Sequence, residues 1–343
     1  MKLVRSIFLA LATSLCGLGL AALDPSAKAL LLKCMQRTQH VNVRAIVSQK
    51  LADGRERRQV KVEQTASGKS RITVIAPIED EGTEFVDDGV HCAKYSPDER
   101  RVVVTVSHRH SLLGSEFSLP SLISLAEANY TLASGSTVEV AGRKTTVVCA
   151  SPRHPGLPAR RFFIDSATGY LLRLETTDSS GHSTVSFDTL AISYPNVIEE
   201  PTANVRIPEA LQISYDYDDI TRRPASFRPV VPTVLPLGFI PLGTEPICKD
   251  PGSLAVRFSD GIVRGSVYEW RPAPGEAPPV GADAVWADGQ SLRFLVLADV
   301  SHKVRLEVLK AFLAESLKGL SAQATLSGAA AGTNLPNSIV RNQ

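Results

Sequence analysis

The chain has 343 residues, 43% of them hydrophobic and 21% charged, with 37 lysines and arginines against 35 aspartates and glutamates. That length suggests two domains, and so even a balance excludes a general electrostatic pull toward nucleic acid or an anionic membrane. Twenty-two prolines and only 6% aromatic residues fit a β-rich chain with many turns.

Lys2 and Arg5 precede an apolar run from Ile7 to Leu20, and the small residues Ala21 and Ala22 follow. This is the pattern of a secretory signal peptide over residues 1–22, and the run is shorter than the roughly 20 residues a membrane-spanning helix needs. Cys16 lies inside the apolar run behind the bulky Leu15, which argues against a lipoprotein signal. Cleavage leaves 35 basic and 35 acidic residues and four cysteines, Cys34, Cys92, Cys149 and Cys248. In an oxidising compartment these allow up to two disulfides in three connectivities. No two are closely spaced, so a zinc site has no support.

Ser26 is placed to cap a helix over about 27–38, and strands follow at 40–51, 57–66 and 69–76. Asp53-Gly54 and Ser67-Gly68 supply the turns. Further strands fit 83–87, 90–95 and 101–106, separated by Asp88-Gly89 and Ser96-Pro97-Asp98-Glu99. At Leu119 the period changes to helical and holds to Ala128, with Pro120 in the first turn. The strand pattern resumes at Tyr130 and runs through an antiparallel meander to about Tyr194, broken at Gly142, Pro152 to Pro158, Ala167-Thr168-Gly169 and Ser179-Ser180-Gly181.

Several of these strands are apolar on both sides. Phe162 and Ile164 face one way and Phe163 the other; Tyr170, Leu172 and Leu174 fall on one face and Leu171 on the opposite one. Both faces must then be covered, and two short helices cover little of so long a sheet. The expected first domain, residues 23–195, is therefore a curved, mainly antiparallel half-barrel sheet partly plugged by helices. It wraps either an apolar cavity or a fully packed core. For a cavity, the candidate ligand-binding residues are Phe85, Leu122, Leu125, Phe162, Ile164, Leu172, Leu174 and Phe187.

Residues 196–228 read as a linker, with Pro195, Pro201, Pro208, Pro224 and Pro229 spaced among acidic and polar residues. The acidic Asp216, Asp218 and Asp219 lack the glycine and distal glutamate of an EF-hand loop. Residues 229–319 then form a small α+β domain. Val234 to Phe239 is extended with a turn, 254–258 and 262–270 pair around Ser259-Asp260-Gly261, 284–286 and 292–298 pair around Asp288-Gly289, and 301–318 is an amphipathic helix. Residues 320–343 read as a disordered tail. The overall class is α+β.

No nucleophile, base or metal-ligand spacing stands out, and no cofactor motif is present. His108-Arg109-His110-Ser111, with Ser118 nearby, has no nucleophile elbow and no fixed acid partner. These features describe a protein that holds something rather than one that converts it.

The first domain resembles the periplasmic lipoprotein-carrier fold of the LolA/LolB type, through the runs AGRKTTVVCASP (141–152), RRFFIDSATGYLLRLETTDSSG (160–181) and VSFDTLAI (185–192). The second domain narrows the resemblance to the RseB/MucB family. Leu235-Pro236-Leu237-Gly238-Phe239 is similar to that family's Leu-Pro-x-Gly-Phe entry, and Phe258-Ser259-Asp260-Gly261-Ile262 to its Tyr-Ser-Asp-Gly-Leu strand pair. Val234 stands where the family pattern has Trp, the linker is long and the C-terminal tail is extended. The resemblance covers nearly the whole mature chain. It implies a periplasmic regulator of envelope-stress signalling that binds the periplasmic segment of a membrane anti-sigma factor and senses the acyl chains of lipid or lipoprotein. A plain periplasmic lipid or lipoprotein carrier is the alternative. On the regulator reading, a flexible linker lets the two domains rearrange.

Overall fold

The computed structural model describes residues 25–37, 40–50, 58–107, 119–203, 210–214, 227–247, 250–277, 285–289 and 291–331. The expected signal peptide, the Asp53-Gly54 turn, the His108-to-Ser118 segment and the acidic run at 215–219 lie outside them. The chain opens with α1 (Pro25–Arg37). Then come β1 (Val43–Gln49), β2 (Arg58–Gln64), β3 (Ser70–Ala76), β4 (Glu84–Asp87), β5 (His91–Ser96) and β6 (Arg101–Val106). After α2 (Leu119–Asn129) follow β7 (Tyr130–Val140), β8 (Arg143–Pro152), β9 (Ala159–Asp165), β10 (Leu171–Thr177) and β11 (Ser183–Ser193).

These strands form one open antiparallel sheet in the order β6-β5-β4-β3-β2-β1-β11-β10-β9-β8-β7. Two meanders thus meet where the first strand pairs with the last, β1 with β11. Register shifts interrupt the ladders at Ile46/Val47, Gln59/Val60, Ser134/Thr137 and Leu174/Glu175. Bulges of this kind bend a strand and increase its twist, which is how a sheet this wide curves. In α1, Ala27, Leu31 and Cys34 recur at helical spacing and are buried against the β7–β8 end of the sheet. Ser26, read as the cap, shares a 2.8 Å hydroxyl–hydroxyl hydrogen bond with Ser134 of β7.

A second register shift in β10 corrects the expected alternation. Leu171 pairs with Ile164, Arg173 with Phe163 and Leu174 with Phe162, so Leu172 is the bulged residue. Leu171 and Leu174 therefore face α1's side, and Leu172 packs on the opposite side with Phe163, Val147 and Val140. That outer face needs no helix. Phe163 lies beneath the guanidinium groups of Arg161 and Arg173, 5.1 and 5.5 Å from its ring centroid. Those arginines are held by Glu175 and Asp188, each at 2.7 Å. Their aliphatic stems cover the ring while the charges stay in water.

The stretch read as a linker is partly built into the fold. Residues Leu211–Ser214 form β12, a parallel partner of β6 at the sheet edge. Ala203 is buried against Val86, Ala93 and Val102, and its N–H donates to Asp88 Oδ2 at 3.1 Å. The composition argued for a linker because prolines flank a strand of only four residues.

The second sheet has the order β13-β14-β15-β17-β16: β13 (Ile240–Ile247), β14 (Asp250–Ser259), β15 (Arg264–Trp270), β16 (Val285–Asp288) and β17 (Arg293–Ala298). The sequence does not suggest β13, because Pro241, Gly243 and Pro246 break the strand pattern. Among the described residues it is an edge strand paired with β14 alone, and the register slips at those same residues. The closing helix α3 (His302–Ala331) packs on β16 and β17 through Val304, Val308, Leu309 and Phe312. It runs past the expected end near 318 into the residues read as tail. Ala322, Ala324 and Ala329 to Ala331 favour helix strongly enough to outweigh Gly328.

Candidate functional site

The two sheets meet at the end of α2, and the residues there are polar, buried and closely fitted. Asn129, the last residue of α2, shares the two hydrogens of its Nδ2 among Leu125 O at 3.1 Å, Gly238 O at 3.1 Å and Asp260 O at 3.0 Å. Its Oδ1 accepts from His154 Nε2 at 3.0 Å. One amide thus closes the helix and grips two turns of the second sheet. Tyr130, the next residue, donates its hydroxyl to Asp260 Oδ2 at 2.8 Å, and both residues are fully buried. The other oxygen of Asp260 accepts the N–H groups of Ile262 and Val263 at 2.9 and 2.7 Å. Burial raises the pKa of Asp260, with the three hydrogen bonds partly opposing the shift, and burial raises that of Tyr130 as well.

Glycine is required at both turns for two reasons. Gly238 and Gly261 have φ of +76° and +98°, a region L side chains avoid. A Cβ at Gly261 would also lie 2.3 Å from Ala126 N and 2.7 Å from Leu122 O, and one at Gly238 would lie 1.8 Å from Asn129 Oδ1. The Leu-Pro-Leu-Gly-Phe and Ser-Asp-Gly-Ile motifs are therefore the two points at which the second sheet docks onto α2. A second contact joins the start of β9 to the β17–α3 junction, where Arg160 Nη2 donates to Asp299 Oδ2 at 2.7 Å. Around these contacts Ile123, Tyr130, Leu132, Val148 and Ile164 share one apolar core with Phe239, Val256, Phe258, Val263 and Phe294.

Beside this junction a cleft of about 700 Å³ opens between the β10–β11 hairpin and the β17–α3 turn. Hydroxyls of Thr176, Thr184, Ser186 and Ser301 line it, with Lys50, His182 and Arg305 as bases and Asp178 and Asp299 as acids. Pro158, Leu297, Ala298 and Val300 complete the lining, so the cleft offers apolar surface as well as donors and acceptors, a mixture that an extended peptide can use.

The eight apolar candidates are not gathered in one place. Phe162 and Ile164 belong to the core shared by the two sheets, and Phe187 packs with Val43, Val47 and Val60. Leu172 is on the outer face. Leu122 is buried on α2 at the Gly261 contact, while Leu125 and Leu174 are half-buried. Phe85 is 37% exposed, with Lys94 Nζ 5.8 Å from its ring centroid. None of the eight lines the 700 Å³ cleft. The junction residues Asn129, Tyr130 and Asp260 escaped the sequence reading; the signal for Asp260 was its place in a motif, read there only as a hairpin turn. Among the described residues no group of His, Cys, Asp or Glu is arranged to hold a metal ion, and no helix is long and apolar enough to cross a membrane.

A family model described as the MucB/RseB N-terminal domain matches residues 27–206. No curated protein sequence matches the chain. Among solved structures, the crystal structure of MucB superposes with a TM-score of 0.60 at 15% identity, covering 84% of this chain and 98% of that one. The complex of Pseudomonas aeruginosa MucA and MucB gives 0.56 at 14% identity, over 83% and 97%. MucB in complex with MucA(peri) gives 0.55 at 14% identity, over 82% and 97%. At these identities the likeness is one of fold, and its coverage takes in both sheets.

Proposed function

Because this chain belongs to the MucB/RseB family, we propose that it is a periplasmic regulator of envelope-stress signalling that binds the periplasmic segment of a membrane anti-sigma factor. The observation that carries the reading is the family match over residues 27–206. MucB, which shares the fold through both sheets, is found in complex with MucA and with MucA(peri). The partner's segment is assigned to the 700 Å³ cleft, where hydroxyls and charges of both signs meet the needs of an extended peptide. Sensing of lipid or lipoprotein acyl chains by the large sheet is the finer part of the proposal. Phe85, Leu125, Leu174 and Phe187 on α1's side are the candidates that stay within a ligand's reach.

A pulldown of the mature chain by an anti-sigma periplasmic segment tests the reading. Thr184→Trp, which fills the cleft, is expected to lower retention about tenfold, equivalent to about 1.4 kcal/mol. Retention unchanged by Thr184→Trp would move the segment out of the cleft. No retention of the wild-type chain, alongside transfer of lipoprotein between membranes, would favour a carrier.

A further inference from the structure

The cleft does not end at the β17–α3 turn. Leu297, 42% exposed, lines it and also lines a second pocket, of about 410 Å³, on the face of the second sheet turned away from α3. Register places the residues of that face. Val256, Val267 and Val296 pair in a row and are buried in the core that α3 covers. The next row, Arg257, Ser266 and Leu297, therefore points the opposite way, with Gly243 of β13 beside Arg257. Arg264 stands two residues from Ser266 and Glu245 two from Gly243, so both share this face, and both line the pocket. The two arginines differ. Arg257 is held: its Nε donates to Glu245 Oε1 at 2.6 Å and its Nη1 to Ser266 Oγ, and that acid and that hydroxyl are both buried. The guanidinium of Arg264 has no hydrogen bond or ion pair among the described residues. Desolvation lowers its pKa, and no carboxylate opposes the shift. Leu242 adds apolar surface to the lining and Thr244 a hydroxyl.

We propose that the partner's segment continues from the cleft over Leu297 and sets an acidic side chain on Arg264, which makes this pocket a subsite for aspartate or glutamate. The proposal rests on the regulator reading and adds to it the chemistry of the occupant. The path is given by the two spaces meeting at Leu297. The selection is given by charge: with Arg257 engaged by Glu245, the lining holds one cation in excess. A carboxylate offers the Arg264 fork a two-point, charge-assisted hydrogen bond. An amide offers it one neutral acceptor, and a lysine meets like charge. Partly desolvated surroundings strengthen the attraction beyond what an arginine in open water would feel. Leu242 and Leu297 receive the methylene stem of the acid.

The test is isothermal titration of the full mature chain with the anti-sigma segment of the pulldown, and with the same segment carrying glutamine and asparagine in place of its glutamates and aspartates. The wild-type chain is expected to bind the amide segment about tenfold more weakly than the acidic one. Arg264→Gln is expected to bind both segments alike, at the level of the amide segment on the wild type, and Arg264→Lys to keep part of the preference. Thr184→Trp, in the cleft, should weaken both segments by the same factor. Because the Arg264 side chain holds nothing within the fold, Arg264→Gln should unfold at the wild-type urea midpoint. Equal affinity of the wild-type chain for the two segments, or a preference that survives Arg264→Gln, would overturn the proposal and leave the regulator reading standing. Failure of the wild-type chain to bind either segment would overturn both.

Discussion

At the scale of single residues, Glu269 is the most exacting feature. It is fully buried on β15; one oxygen accepts the N–H of Val230 at 2.9 Å, and the other is buried with no partner among the described residues. Burial pushes its carboxyl from the ordinary 4.5 up to about 8, against the opposing pull of the Val230 bond. At neutral pH the folded chain therefore holds a proton that the unfolded chain has released. The stability this contributes is whole below pH 4.5, falls as the pH rises from 4.5 to about 8, and is gone above. At roughly 1.4 kcal/mol per unit, the window is worth on the order of 5 kcal/mol. Glu269→Gln is expected to flatten that slope and to raise the urea midpoint at pH 7.5. Parallel pH dependence in both proteins would clear this carboxyl of responsibility. Tyr130→Phe acts in the opposite sense. It removes one of the three donors to the buried Asp260 and should cost about 1–2 kcal/mol, read from the same urea curves. Neither site was legible in the sequence. Glu269 shares the Val267 face of β15, where it pairs with Phe294, and an acid at that position gives no sign of burial; Tyr130 is the first residue of a strand, and only the second sheet, arriving across the α2 terminus, gives its hydroxyl a buried partner.

At the scale of elements, much of the fold was legible because its strands alternate and its turns carry Gly, Asp or Pro at the needed positions. Meander strands β1 to β11 and helices α1 and α2 fall within a few residues of their expected spans. The misread strands share one cause: a rule about central strands applied to an edge or a bulge. Pro241 and Pro246 disqualify a central strand but not the edge strand β13, and one extra residue in β10 sends Leu172 to the outer face, away from the other cavity candidates. Glycines show the same limit, since a sequence cannot tell a turn glycine from one that another element touches. Gly142 and Gly261 both have positive φ, +71° and +98°, but a Cβ at Gly142 meets nothing within 4 Å, whereas one at Gly261 meets the backbone of α2. Gly142→Ala should thus cost only its conformational strain, about 1–2 kcal/mol. Gly261→Ala should cost clearly more, on the order of 4 kcal/mol, because α2 backbone has no rotamer with which to yield. Equal urea midpoints for the two variants would mean that the Ser-Asp-Gly-Ile turn does not press on α2 as described.

At the scale of the molecule, the shared core changes what the second sheet is for. A proline-rich connection between two units suggests bodies free to rearrange when a ligand arrives. Here Ile123, Tyr130 and Val148 from one side and Phe239, Val256 and Phe258 from the other are buried in a single cluster. The edge strand β12, drawn from the supposed linker, is tied to β6. Separating the sheets would expose that cluster and strand the buried carboxylate of Asp260, and a ligand can drive such a change only by its differential affinity for the two states. The proposed partner and lipid sites then lie on surfaces fixed relative to one another. The cleft itself depends on the docking, because one wall is the β10–β11 hairpin and the other the β17–α3 turn. The two sheets are accordingly expected to unfold together, as one calorimetric transition whose van't Hoff and calorimetric enthalpies agree. In Gly261→Ala, where the docking contact is strained, the two sheets should uncouple into a broadened or split transition, and retention of the anti-sigma segment should fall with it. Two well-separated transitions in the wild-type chain would show that the core does not couple the sheets. The cleft would then be a transient space between moving bodies instead of a preformed site.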